Sequence, residues 1–335
     1  MRIDTHAHVY PTDYLDFLAD SGVTTTGGQR GLGADDTDKE LDARFSLMDR
    51  AGVDRQVISA SPLTGALPDP GRAAAAARMI NDRYVDLVDR HPDRFLAFAV
   101  LPLPHVDAAL AELDRVLDAP GVVGVALTTS AAGRALTDPA FAPVWQELDR
   151  RGTVLYLHPA GDGVASPQIT DHHLTWMVGA PVEDTVVAAQ LITQGFVTRF
   201  PRVRILNSHF GGALPMLLER WDNLAHFEAP DAPLPPSQAA RRMWYDTVAH
   251  SSQAALRAAV QAVGADRLVL GSDFPYQGGE HYLDTVAYIE RAGLDARDTQ
   301  GILAGNAEAL LGLRPADRLR PGGRRDAAAH LPGGG

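Results

Sequence analysis

The sequence predicts an α/β protein, a (β/α)8 TIM barrel in a single domain with an insertion after strand 1. Three observations carry that expectation: eight short apolar runs, a helix-length segment following each, and polar residues at the ends of many runs. Parallel strands covered on both faces read as continuous apolar runs, and repeated strand and helix units are what a barrel requires. A doubly wound open sheet is the alternative. The polar strand ends weigh against it, because barrel active sites form at strand C-termini.

Strands are expected at 3–9, 56–60, 95–101, 122–127, 154–157, 203–206, 244–249 and 268–270. The segments 39–52, 71–91, 106–117, 137–151, 182–199, 211–228, 251–263 and 281–292 are amphipathic or alanine-rich and long enough for crossover helices. Residues 21–38, rich in Gly, Thr and Asp, read as an insertion or lid, and 230–238 as a Pro-rich loop. The barrel is expected to span 1–313. Residues 314–335, rich in Arg, Gly and Ala without an apolar period, are expected to be disordered.

With 45% hydrophobic and 21% charged residues, the chain reads as soluble and globular, and no apolar run is long enough for a membrane span. The opening MRIDTHAHVYP enters a histidine-bearing strand with no signal-peptide pattern, so a cytoplasmic location is expected. The absence of cysteine excludes disulfides, thiolate nucleophiles and Cys-type zinc sites, leaving His, Asp and Glu to hold any metal. A net charge of -12 argues against a nucleic-acid partner and favours small-molecule chemistry.

His6 and His8 stand two apart in a strand, so both side chains project to one face, the interior in a first barrel strand. A lone His-x-His also suits two strand-end hydrogen bonders. His158, His209 and Asp273 end three further runs and point toward the same mouth. Imidazoles plus one carboxylate suit zinc, with water in an open position as a catalytic site needs. On spacing alone, all five are candidate ligands.

Seven stretches, Ile3-Asp-Thr-His-Ala-His-Val-Tyr-Pro, Arg44-Phe-Ser-Leu-Met-Asp-Arg-Ala-Gly-Val, Trp176-Met-Val-Gly-Ala-Pro, Phe200-Pro-Arg-Val-Arg, His209-Phe-Gly-Gly-Ala-Leu-Pro, Tyr245-Asp-Thr and Gly271-Ser-Asp-Phe-Pro, are specific only as a set. Together they resemble the decarboxylase branch of the amidohydrolase superfamily, most of all the aminocarboxymuconate semialdehyde decarboxylase family, across nearly the whole barrel. The resemblance implies that His6, His8, His158 and Asp273 hold one divalent metal and that His209 is the acid/base. Binuclear members of the superfamily bridge two metals with a strand-end lysine. Lys39, the only lysine, lies in a polar stretch, so one metal is expected. Relatives with Glu-x-His at strand 1 are associated with manganese; His-x-His here favours zinc.

The same resemblance assigns Arg44 to grip a substrate carboxylate, a task that suits a guanidinium fork, although a helix arginine is as readily solvent-facing. It places Trp176 against a planar substrate, or else in the core, and sends Arg220 into a neighbouring subunit's site, which implies a homodimer. Tyr10, Phe210, Phe274 and Tyr276 are expected to wall the pocket, or simply to pack. Asp246 is expected to bond a neighbouring strand or fix a ligand histidine. The His172–His173 pair is expected in solvent, and His250 at the end of strand seven. No glycine-rich loop or Gly-x-Ser-x-Gly elbow has the spacing for phosphate binding or serine catalysis.

The implied reaction is non-oxidative decarboxylation of a small unsaturated or aromatic carboxylic acid. Metal-bound water and His209 would exchange the proton, with Asp273 taking part. Hydrolysis of an ester, lactone or amide by the same ligand set is the rival. A metal-binding scaffold without turnover is the third class, and it requires a closed site.

Overall fold

Eight parallel strands follow one another around the sheet in chain order, as the alternating apolar runs require. They are β1 (Ile3–His8), β2 (Arg55–Ser59), β3 (Phe95–Val100), β4 (Val122–Thr128), β5 (Val154–His158), β6 (Arg204–Asn207), β7 (Trp244–Asp246) and β8 (Leu268–Val269). The computed structural model describes residues 1–313; the expected disorder of 314–335 falls outside the described residues. The sheet closes where residues following β8 meet β1. Thr5 N donates to Leu270 O and His8 N to Phe274 O, both at 2.8 Å, and Ala7 bridges Phe274 in parallel.

Ile3, Val57, Phe98, Ala126, Tyr156, Leu206 and Val269 fill the barrel together with Ala307 and Leu310 of the last helix, Asn306–Leu311. A larger apolar cluster joins strands to the outer helices, among them Asp38–Ala51, Ala180–Thr193 and Leu214–Glu228. This is a (β/α)8 barrel. No helix among the described residues is long and apolar enough to cross a membrane.

Departures from expectation are local. The segment 182–199 is broken at Gly195, whose φ of 65° ends one helix turn and starts the next. Strand seven stops at Asp246, so His250 lies beyond it, exposed and at φ 47°. The helices Thr12–Asp20, Ala296–Gln300 and Asn306–Leu311 were not expected, being too short to show a clear period. The insertion holds a single 3-10 turn, Thr26–Gln29.

Candidate metal centre and its acid/base histidine

His6 and His8 reach the mouth from β1, which carries a register irregularity between Asp4 and Ala7. Asp4 marks that irregularity with a fully buried carboxylate. Its Oδ1 accepts from His6 N and Ser272 N, and its Oδ2 from Gln56 Nε2 and Ser272 Oγ, at 2.6 to 3.1 Å. The histidine strand is thus tied to the segment that presents Asp273. Close approach there needs Gly271, because a Cβ at that position would lie 2.9 Å from Asp246 Cβ and 3.0 Å from His6 Cβ.

One ligand atom from each of His6, His8, His158 and Asp273 forms a cluster in which all lie within 4.8 Å of one another. His6 Nε2 and His8 Nε2 each stand 3.2 Å from Asp273 Oδ1. Each imidazole is held by its other nitrogen. His6 Nδ1 meets Asp246 Oδ2 at 2.8 Å, His8 Nδ1 meets Ser59 Oγ at 3.1 Å, and His158 Nδ1 meets Pro159 O at 3.0 Å. Such partners fix tautomer and ring direction, leaving the Nε2 atoms for a metal.

The donor set fits one divalent ion. His6 Nε2 is buried without hydrogen-bonding geometry to any group, which is costly unless a cation takes that lone pair. Electrostatics agree. Burial pushes His8 down to about 4 and, with neighbouring imidazoles, holds His158 well below its ordinary value, so both are neutral and ready to ligate. Burial opposes a charge on His6 as well, but the Asp246 and Asp273 carboxylates outweigh it and raise the group to about 10. Burial likewise works against an ionised Asp273, yet His6 and His8 hold it well below the carboxylate range. Metal entry therefore displaces a proton from His6.

His209 stands apart from this cluster while its ring centroid lies 5.2 Å from that of His6 and 5.9 Å from that of His158. Its Nδ1 pairs with Asp184 Oδ2 at 2.8 Å, and its backbone N donates to Asp246 Oδ1 at 2.9 Å. Burial alone would lower its pKa; Asp184 reverses the sign and raises it. His209 and Asp273 are both non-glycine residues in the left-handed region, with φ of 52° and 60°. Such conformations cost about 1–3 kcal/mol each and gather at functional sites. Their side chains are 20% and 13% exposed, against 0% for His6 and His8, so this is the open side of the centre.

Two of the residues expected to meet substrate are buried. Arg44 is 2% exposed; its Nη2 donates to His8 O at 2.5 Å and its Nη1 to Gln56 Oε1 at 3.1 Å. Its fork holds the back of β1. Phe274 is 7% exposed and packs under that guanidinium, 4.3 Å from ring centroid to Cζ. Phe210 is also buried in the core. Tyr10 stacks on His8 at 5.7 Å, and the half-exposed Tyr276 meets the same ring edge-on at 5.7 Å.

Trp176, 55% exposed, is not a core residue. Arg220 is exposed on Leu214–Glu228, with no ion pair among the described residues. His172 and His173 are exposed as expected. Asp184 and Glu183 were missed. Their signal is two adjacent acids in the first turns of an apolar helix, Ala180–Thr193, whose N-terminus faces the mouth.

Barrel and site together define a metal-dependent α/β-barrel enzyme. A family model described as amidohydrolase matches residues 3–313, and the chain belongs to that family, in its decarboxylase branch. It is 27% identical over 341 residues to a 2-amino-3-carboxymuconate-6-semialdehyde decarboxylase of Dictyostelium discoideum, covering 94% of this chain and 92% of the relative. A gamma-resorcylate decarboxylase of Rhizobium radiobacter is 32% identical over 275 residues, covering 75% and 83%. The structure of a dihydroxybenzoic acid decarboxylase from Polaromonas, with bound manganese and the inhibitor 2-nitroresorcinol, superposes with a TM-score of 0.80 at 25% identity, covering 95% and 98%.

Proposed function

We propose that this enzyme is a carboxy-lyase that removes carbon dioxide non-oxidatively from a small aromatic or unsaturated acid, using one divalent metal at His6, His8, His158 and Asp273. The observation that carries this reading is His209, inside the ring of imidazoles, outside the ligand cluster, and paired through Nδ1 with Asp184, which raises its pKa. When bound, the ion supplies Lewis-acid stabilisation of the negative charge that develops on the substrate. His209 delivers its proton to the carbon that bears the carboxylate. The bond to the carboxylate then breaks, its electron pair returns to the unsaturated system, and carbon dioxide leaves. Solvent reprotonates the imidazole, which Asp184 holds in place.

His209 Nδ1 is paired with the Asp184 carboxylate, which raises its pKa and suits it to donate a proton; that favours this over hydrolysis, where the first task is to take a proton from water. Zinc is our assignment for the ion, because three imidazoles and one carboxylate suit it. With Arg44 committed to β1, the carboxylate grip passes to Arg220 of a partner copy in a homodimer. That assignment is supported by the exposed Met216 and Phe227 on the same helix as Arg220.

The test is metal analysis coupled to a screen of hydroxybenzoates, resorcylates and carboxymuconate-type acids against lactones and esters. Carbon dioxide released one-for-one with the decarboxylated product is expected. Acid release from a lactone without carbon dioxide overturns the reading, and manganese in the active protein overturns zinc. Sedimentation is expected to give a dimer that Met216→Glu dissociates.

A further inference from the structure

We infer that Glu183 is a positioning residue for substrate: its carboxylate moulds the loop after β5 into the seat of Trp176, and through that seat sets affinity for a planar acid. The planar acid is the one part of this that rests on the decarboxylase reading.

Glu183 lies near the mouth-facing start of Ala180–Thr193 and is 2% exposed. Its Oε2 accepts from Ala160 N at 2.6 Å, Gly161 N at 3.1 Å and Thr129 Oγ1 at 2.9 Å, and its Oε1 from Gly163 N at 2.8 Å. Four donors use the whole accepting capacity of a carboxylate, and hydrogen bonds to an ionised acceptor are the strong ones. Among the described residues Glu183 has no basic partner, so its charge is spent on the loop and on the end of β4. Burial raises its pKa, the backbone N–H of Gly163 and the Thr129 hydroxyl opposing that.

The loop so held begins just past His158 and carries the place where Trp176 rests. Gly161 has φ +77°, and a Cβ there would lie 2.9 Å from Trp176 Cη2 and 3.0 Å from Cζ2. The benzo edge of the indole thus sits on bare backbone. Trp176 belongs to the turn Thr175–Gly179 and stays 55% exposed, so the seat locates it while leaving area for a flat ligand. A carboxylate that fixes three amides around Gly161 therefore fixes the height of the indole on the loop that follows His158.

Glu183→Gln puts an amide NH2 against N–H donors and undoes the seat. In the metal-loaded enzyme, KM for the acid it turns over is expected to rise about tenfold, with kcat within about threefold and metal content unchanged. In a Trp176→Ala background the same change adds nothing to KM. Emission from Trp176, taken as the difference between each protein and its Trp176→Phe counterpart, is expected to move to the red in Glu183→Gln. This arm needs no substrate, so it decides the role of Glu183 even if no acid is decarboxylated. Should Glu183→Gln not fold, Gly161→Ala lifts the indole directly and is expected to give the same KM rise. An equal KM effect with and without Trp176, a fall in kcat at constant KM, loss of metal, or unmoved emission each overturns the assignment.

Discussion

On the β1 side of the mouth, the ligand histidines belong to a buried strand pinned from behind; on the β5 side, the chain leaves His158 for an exposed loop and a half-open tryptophan. Asp4, Arg44 and Asp246 fix the first region with buried polar bonds to β1, Gln56, Ser272 and the His209 backbone. The second depends on Asp184 for His209 and on Glu183 for residues 160–163. The contrast follows from the two tasks. Ligands must hold a fixed geometry before any ion arrives, whereas the groups that meet substrate must stay reachable.

The sharpest way to break that comparison is at the residue that faces substrate but holds no ion. His209→Asn is expected to lower kcat by about 10²–10⁴-fold, the usual worth of a general acid, with metal still bound. Carbon dioxide release and metal content measured on one preparation check both halves. Loss of metal would make His209 a ligand and erase the division.

On the pinned side, Asp246→Asn is expected to weaken metal affinity by about 10–100-fold, because His6 loses the carboxylate that holds its Nδ1. Competition with a chelator measures this. Binding should also weaken as pH falls, since protons compete for the imidazoles. An unchanged affinity would mean that strand geometry alone aims His6.

A pH profile separates the two sides again. Burial lowers the pKa of His209 and Asp184 more than restores it, so the folded value lies above the ordinary imidazole value. The stabilisation from that pair is complete below the ordinary value and is lost as pH rises through the raised one, and the acid form needed for turnover is lost over the same interval. Asp184→Asn removes the main opposition to burial and leaves only the weaker pull of Asp246. The basic limb of kcat/KM is expected to move to lower pH, while chelator resistance is unchanged.

Much of this was legible in the sequence where one residue ended one apolar run. His6, His8, His158, His209 and Asp273 were placed at one mouth that way, and the barrel was legible because buried parallel strands read as continuous apolar runs between helix-length segments. The burial of Arg44 and Phe274 was not legible because local pattern does not give depth. A helix arginine can face solvent, mouth or strand, and a phenylalanine after a strand end can line the mouth or join the core, as Phe274 does. Glu183 and Asp184 were overlooked because an acid in an apolar helix has no partner in sequence; theirs lie about two dozen positions away, on the loop after β5 and at the end of β6, as the separations of 20 and 25 residues to Gly163 and His209 record.

The smallest effect is expected at the half-exposed indole. Trp176 is 55% exposed and rests on Gly161, so little apolar area is lost to water when it is cut back. Trp176→Ala should leave the unfolding midpoint almost unmoved, within about 0.5 kcal/mol, as for other surface changes. Its cost should appear in KM, about three- to tenfold, since stacking a flat ring is worth on the order of 1 kcal/mol beyond its area. Thermal unfolding and steady-state kinetics on the same variant test this pairing. A large stability loss would show that the indole holds the loop together, and the β5 side would then be as structurally committed as β1.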